Sequence, residues 1–253
     1  MLDSDIPKFS CNECLKGLGF PFEFTMAFQP IVDVENKSIY SHEALVRGVN
    51  GEGAGWVLNQ VTSEMLYKFD QACRVKAIEL ASKLKIDTYL NINFLPNAVY
   101  KPETCIRTTL EACEEYGFPI QKIIFEVTEQ EKVYEYSHLV NIFKEYKKIG
   151  FKTAIDDFGE GYSGIGLLVE FQPDMIKIDR KIIDGISKSP VKKSIVNGIL
   201  NIAKDLGILV EVEGIEEKED YIFLKDLGVR LFQGFYFAKP VFEGIGKIDE
   251  KLF

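Results

Sequence analysis

Apolar runs of strand length alternate with stretches of helical periodicity over most of the chain, and no other feature restricts the fold as strongly. AFQPIVDV (27–34) and IYSHEALVRG (39–48) come first, and the turn-like VENK between them marks a hairpin. TYLNINFL (88–95), KIIFEVTE (122–129), FKTAIDDFG (151–159), MIKID (175–179), ILVEVEG (208–214) and RLFQGFYFA (230–238) follow. Helical periodicity occupies roughly 56–84, 103–116, 134–149, 163–171, 189–206 and 217–227. In 189–206, Ile195, Ile199, Ile202 and Leu206 recur three or four apart, as one buried helix face requires. Alternation of this kind after a hairpin predicts an α/β fold with a largely parallel sheet. The Val/Ile-rich strands predict burial on both faces, and 253 residues suit closure into a TIM-type (β/α)8 barrel, typically ~250 residues long. An open doubly wound sheet is the alternative. Residues 1–22 read as an N-terminal extension or cap, and 23–253 as one domain.

Charge narrows the ligand. The chain carries 30 Lys+Arg against 39 Asp+Glu, a formal −9, which argues against a DNA or RNA polymer or an anionic membrane as partner, since both want a basic patch. No apolar run approaches the ~18 residues of a membrane span, and the acidic N-terminus lacks the basic start and apolar stretch of a secretory signal. Cysteines at 11, 14, 73, 105 and 113 then imply free thiols in a reducing cytoplasm. Cys11-x-x-Cys14 lacks two further zinc ligands nearby and reads as incidental, or at most regulatory.

Polar groups gather where the predicted strands end, the place where parallel barrels keep their functional side chains. Glu43, Asn93, Glu126 with Glu129, Asp156 with Asp157, Lys177, Glu213 with Glu216, and Gln233 fall on seven strands. Each acid alone has an ordinary explanation as a loop charge or helix cap. Five carboxylates converging on one mouth would repel strongly, however, and carboxylates with an Asn carbonyl form the hard oxygen set of Mg²⁺ or Mn²⁺. Lys177 is the one cation among them, placed either as a structural ion pair or to steady developing negative charge. Two motifs fail on inspection. His42-Glu43 opens like a zinc-protease signature, but position 46 is valine. Gly159-x-Gly161-x-x-Gly164 matches a dinucleotide fingerprint, yet it follows Asp156-Asp157, which would set two negative charges beside a pyrophosphate.

Glu43-Ala44-Leu45-Val46-Arg47 brings these residues into one pattern: the chain resembles the EAL domain, the bacterial phosphodiesterase that opens cyclic di-GMP. The resemblance covers roughly 23–245. It includes Phe28-Gln29-Pro30-Ile31-Val32, Asn91-Ile92-Asn93-Phe94, Phe125-Glu126-Val127-Thr128-Glu129, Asp156-Asp157-Phe158-Gly159-Glu160-Gly161-Tyr162-Ser163, Ile176-Lys177-Ile178-Asp179, Glu211-Val212-Glu213-Gly214-Ile215-Glu216 and Gln233-Gly234-Phe235. It implies a modified TIM-type barrel with an antiparallel first strand. It also implies two Mg²⁺ or Mn²⁺ ions per site on Glu43, Asn93, Glu126, Asp156, Asp157 and Glu213, with Asp156 as the bridge and Ca²⁺ inhibitory. By the same resemblance Lys177 contacts the catalytic water, Gln233 lines the site, and Gln29, Leu45, Arg47 and Glu216 contact substrate. Glu129 would hold the loop after Asp157, and that loop (158–163) would join a homodimer. Asn91 competes with Asn93 as the amide ligand; Asn93 is preferred for its spacing to Glu126. The implied reaction is two-metal hydrolysis of cyclic di-GMP to linear 5′-pGpG. A catalytically silent cyclic di-GMP receptor acting through protein partners is the first alternative, and another metal-dependent barrel enzyme the second.

Overall fold

The computed structural model describes residues 19–99, 101–128, 136–159 and 164–252. Strands β1 (Phe24–Asp33) and β2 (Ser38–Gly48) form the expected antiparallel hairpin, with Gln29 opposite Glu43. Asp33 shapes its turn by accepting hydrogen bonds from the amides of Glu35 and Asn36, an Asx-type turn that suits acidic and amide residues. β3 (Tyr89–Asn93), β4 (Ile123–Thr128), β5 (Lys152–Phe158), β6 (Met175–Ile178), β7 (Leu209–Val212) and β8 (Leu231–Phe232) then add in sequence order, all parallel to β2. β1 pairs antiparallel with β8 through Val32–Phe232 and Asp33–Leu231, which closes an eight-stranded barrel and excludes the open sheet. Arg230 clamps this seam, its Nε 2.9 Å from both Asp33 carboxylate oxygens. A short β9 (Val241–Phe242) pairs with β1 at Ala27 and Phe28.

Strand alternation sorts the side chains into two environments. Ile92, Phe125, Val127, Ile155, Ile176, Val212 and Phe232 belong to the main core between sheet and helices, with Ile78, Phe143, Leu168, Val196 and Ala203. Ile31, Ile124, Ala154, Met175 and Leu231 form a separate apolar cluster, the floor inside the barrel. Moving two residues along each strand from that floor reaches Glu126, Asp156, Lys177 and Gln233.

Three sequence expectations change in detail. The single helix over 56–84 is two, Ala54–Leu58 and Leu66–Lys83. The chain bends between them because Val57, Phe69 and the partly buried Val61 turn together onto Phe22 and Phe24 in a small aromatic cluster. The run 230–238 is a strand only at Leu231–Phe232, since Gly234 lies so close to the Ile215 backbone that a Cβ would sit 2.1 Å from its carbonyl oxygen. The helix Pro190–Leu206 starts at a Ser189 cap with Pro in its first turn and ends at Gly207 in a left-handed conformation. Its buried face is Val196, Ile199 and Ala203, however, while Ile195 (48%), Ile202 (38%) and Leu206 (44%) are exposed. The apolar arc is wide enough to contain two stripes of the same spacing, and the one carrying small Ala203 packs inward. Residues 1–18 with Cys11-x-x-Cys14, Glu129, and 160–163 of the expected dimer loop lie outside the described residues. No described helix is long and apolar enough to cross a membrane.

Candidate functional site

The interior above the apolar floor is charged. Glu43 comes from β2, Asn93 from β3, Glu126 from β4, Asp156 and Asp157 from β5, and Lys177 from β6. Glu213 lies one residue past β7 and Gln233 one past β8. The backbone holds these last two in place: the Glu213 amide donates to the Ile178 carbonyl and the Gln233 amide to that of Val212. The barrel therefore brings the eight side chains into one mouth from seven strands or strand ends.

Lys177 sits at the centre, fully buried, with its ammonium 3.0 Å from Glu126, 3.3 Å from Asp156 and 3.7 Å from Glu43, and also paired with Glu213. Burial alone would lower its pKa, but the surrounding Asp156, Glu126, Glu213 and Glu43 carboxylates overcome this and hold it well above the ordinary lysine value. The acids shift upward too, and for them the shift favours the neutral form. Burial, reinforced by Glu43 and Asp156, pushes Glu126 up to about 8 despite Lys177. Burial and the neighbouring Asp156 and Asp179 push Asp157 up to about 6. Glu213 is raised well above a normal carboxylate, first by burial and then by Asp156. Carboxylates in this state favour any cation that reaches them.

Two groups of ligand atoms have the required convergence: Glu43, Glu126 and Asp156 form one, and Asp156, Asp157 and Glu213 the other, each with its oxygens within 4.8 Å of one another. Asp156 belongs to both, so this donor set fits two cations sharing one carboxylate. Asp157 enters its group through a left-handed backbone, φ 53°, which a short polar side chain tolerates better than most. The amide of Asp157 also donates to Asp156 Oδ1 at 2.8 Å.

The two asparagines take different places. Asn93, half-buried, donates to Glu43 Oε1 at 2.9 Å. Asn91, two residues deeper and fully buried, donates to Glu126 Oε1 at 2.5 Å. Gln233 Nε2 donates to the other Glu43 oxygen at 2.7 Å. Gln29 reaches the Ala238 carbonyl at 3.1 Å, while Leu45 and Arg47 lie half-exposed at the outer end of β2. Glu216 is held by Arg180, whose two terminal nitrogens donate to its two oxygens at 2.5 and 2.9 Å.

Glu211 is a member that sequence reading passed over. It is fully buried, neither of its oxygens has a hydrogen-bond partner among the described residues, and burial raises it well above a normal carboxylate despite nearby Lys177. Its separation of two from Glu213 on one strand was the available signal.

Comparison with known proteins places this arrangement. A family model described as EAL domain matches residues 22–240. The chain is 30% identical over 223 residues to the blue light- and temperature-regulated antirepressor BluF of Escherichia coli K12, covering 88% of this chain and 55% of BluF. It is 28% identical to the probable cyclic di-GMP phosphodiesterase PdeG of the same organism, covering 87% of this chain and 45% of the relative. It thus spans about half the length of these curated relatives. Among solved structures, a standalone EAL protein from Vibrio cholerae O395 bound to c-di-GMP superposes with TM-score 0.90 and 50% identity, over 92% of this chain and 99% of that one. The manganese/cy-diGMP complex of Klebsiella pneumoniae BlrP1 superposes with TM-score 0.85 and 36% identity, over 89% of this chain and 58% of that one.

Proposed function

Because the chain belongs to the EAL domain family, we propose that it hydrolyses cyclic di-GMP to linear 5′-pGpG with two divalent ions. The observation that carries this reading is the pair of ligand groups sharing Asp156 around a buried lysine. Four carboxylates (Glu43, Glu126, Asp156 and Glu213) surround the Lys177 ammonium, with Asp157 in the second ligand group and Glu211 buried nearby, so the site carries an excess of negative charge that two divalent ions nearly cancel. Asn93 joins them through its side-chain oxygen. When bound, Mg²⁺ or Mn²⁺ supplies an activated water and neutralises charge on the phosphodiester.

The chain's own residues do the rest. Lys177 stays protonated and presents a fixed positive charge towards the attacking water, while Gln233 and Asn93 orient the two oxygens of Glu43. Arg47 offers a guanidinium to the phosphate and Leu45 an apolar surface to a guanine, with Gln29 and Glu216 as polar contacts. Glu216 engages substrate by exchanging or sharing its Arg180 partner. Glu129 orders the loop after Asp157, and residues 158–163 form a homodimer contact in a cytoplasmic protein. Related structures with manganese/cy-diGMP and calcium/cy-diGMP in BlrP1 support a divalent site, and Ca²⁺ is proposed to occupy it without turnover.

The test is chromatography after incubation with cyclic di-GMP and Mg²⁺ or Mn²⁺. Linear pGpG that disappears with chelator is the expected product; unchanged substrate beside tight binding favours a silent receptor. The name antirepressor given to BluF is what favours that second reading; the complete acidic set of this chain supports the first.

A further inference from the structure

A buried charge pair lies outside the barrel, behind the strands that supply Asn93 and Glu126, and the site described above does not use it. Asp70 and Arg74, one turn apart on the helix Leu66–Lys83, pair at 2.7 Å with both side chains essentially inaccessible. Asp70 Oδ1 accepts the Leu95 amide at 2.9 Å, two residues past Asn93. Arg74 Nη1 donates to the Tyr146 hydroxyl at 2.8 Å. The guanidinium lies over the rings of Phe94 and Phe125, at 5.5 and 5.0 Å from their centroids. Those rings belong to the residue after Asn93 and the residue before Glu126. The Phe94 amide in turn donates to the Glu126 carbonyl at 2.9 Å.

An ion pair buried this deeply is a poor source of stability, because a well-packed apolar replacement commonly does as well or better. Its geometry serves another purpose: it grips the ends of β3 and β4 at the backbone of Leu95 and at both aromatic neighbours of the ligands. We propose that Asp70, Arg74 and Tyr146 are positioning residues that set the separation of Asn93 and Glu126 and so the affinity of the site for its cations. The metal part of this inference rests on the function proposed above.

The experiment uses the full chain with Tyr146→Phe, which deletes one hydroxyl, and with the paired apolar replacement Asp70→Leu/Arg74→Met. Mn²⁺ binding is followed by the electron paramagnetic resonance signal of the free ion, folding by a cooperative thermal melt, and local order by amide exchange without metal. Tyr146→Phe is expected to weaken Mn²⁺ severalfold and the paired replacement about tenfold or more, the range for residues that orient ligands. Amides at 93–95 and 125–127 should exchange faster in both variants, while those of β7 stay unchanged. Wild-type Mn²⁺ affinity in the folded paired variant overturns the proposal. If the pair does not fold, unchanged affinity in Tyr146→Phe overturns it. A wild-type chain that binds no Mn²⁺ refutes the metal reading instead, and amide exchange alone then decides whether the network positions these strands.

Discussion

Glu126 gives the sharpest test of the electrostatics. It is fully buried, and its pKa rises from 4.5 to about 8, first by burial and then by Glu43 and Asp156, against the pull of Lys177. A folded acid that binds its proton more tightly than the unfolded one contributes its full stability below about pH 4.5 and loses it as pH climbs through about 8. At about 1.4 kcal/mol per pH unit, ionising it in the metal-free fold costs on the order of 5 kcal/mol. In a domain of this size that corresponds to about 10–20 °C in melting temperature, at about 2–4 °C per kcal/mol. The assay is thermal unfolding of chelator-treated protein from pH 5 to 9, wild type against Glu126→Gln. The two should melt closest together near pH 5, separate progressively as pH rises and lie furthest apart above pH 8, with the wild type falling below the variant. Asp157, raised to about 6 chiefly by burial and then by Asp156, acts in the same sense over a lower window. Adding Mn²⁺ at pH 8.5 should restore the wild type far more than the variant. Parallel melting curves across the whole range would refute the reasoning, because they would mean that Glu126 ionises in the fold without penalty.

Glu43→Ala or Asp156→Asn should abolish hydrolysis while a cooperative melt persists, and full Mg²⁺-dependent turnover in either would remove the ligand assignment. Ile199→Ala should destabilise by about 2–5 kcal/mol and Ile202→Ala by no more than about 0.5, as read by denaturant unfolding; equal losses would contradict the helix orientation. Gly234→Ala places a methyl against the Ile215 backbone, so it should cost about 1–3 kcal/mol and displace Gln233. Its measured signature is lost activity together with a lowered melting temperature, and a wild-type melt would contradict the close approach.

Much of the architecture was legible because it depends on local pattern. The hairpin follows from two apolar runs around VENK, and closure from strand count and length. The acids were legible as strand-end residues, and a period of two would also have found Glu211 beside Glu213. What escaped the sequence depends on which neighbour a side chain meets. Ile195, Ile199 and Ile202 have the same spacing and hydrophobicity, and only the small Ala203 facing the sheet decides which stripe is buried. Nothing local in the sequence marks Arg74 as buried, because Tyr146, Phe94 and Phe125, which enclose it, are remote in sequence. Glu216, expected as a substrate contact, gives no sequence sign that Arg180, 36 residues away, holds both its oxygens.

The central claim is that one mouth holds two cations through a shared carboxylate and presents cyclic di-GMP to them. A crystal of the full chain soaked with cyclic di-GMP and Ca²⁺ tests it most directly. The prediction is two ions, one on Glu43, Asn93, Glu126 and Asp156 and the other on Asp156, Asp157 and Glu213, with a substrate phosphate against both. A nucleotide bound at this mouth with no ion, or ions that do not share Asp156, would contradict it.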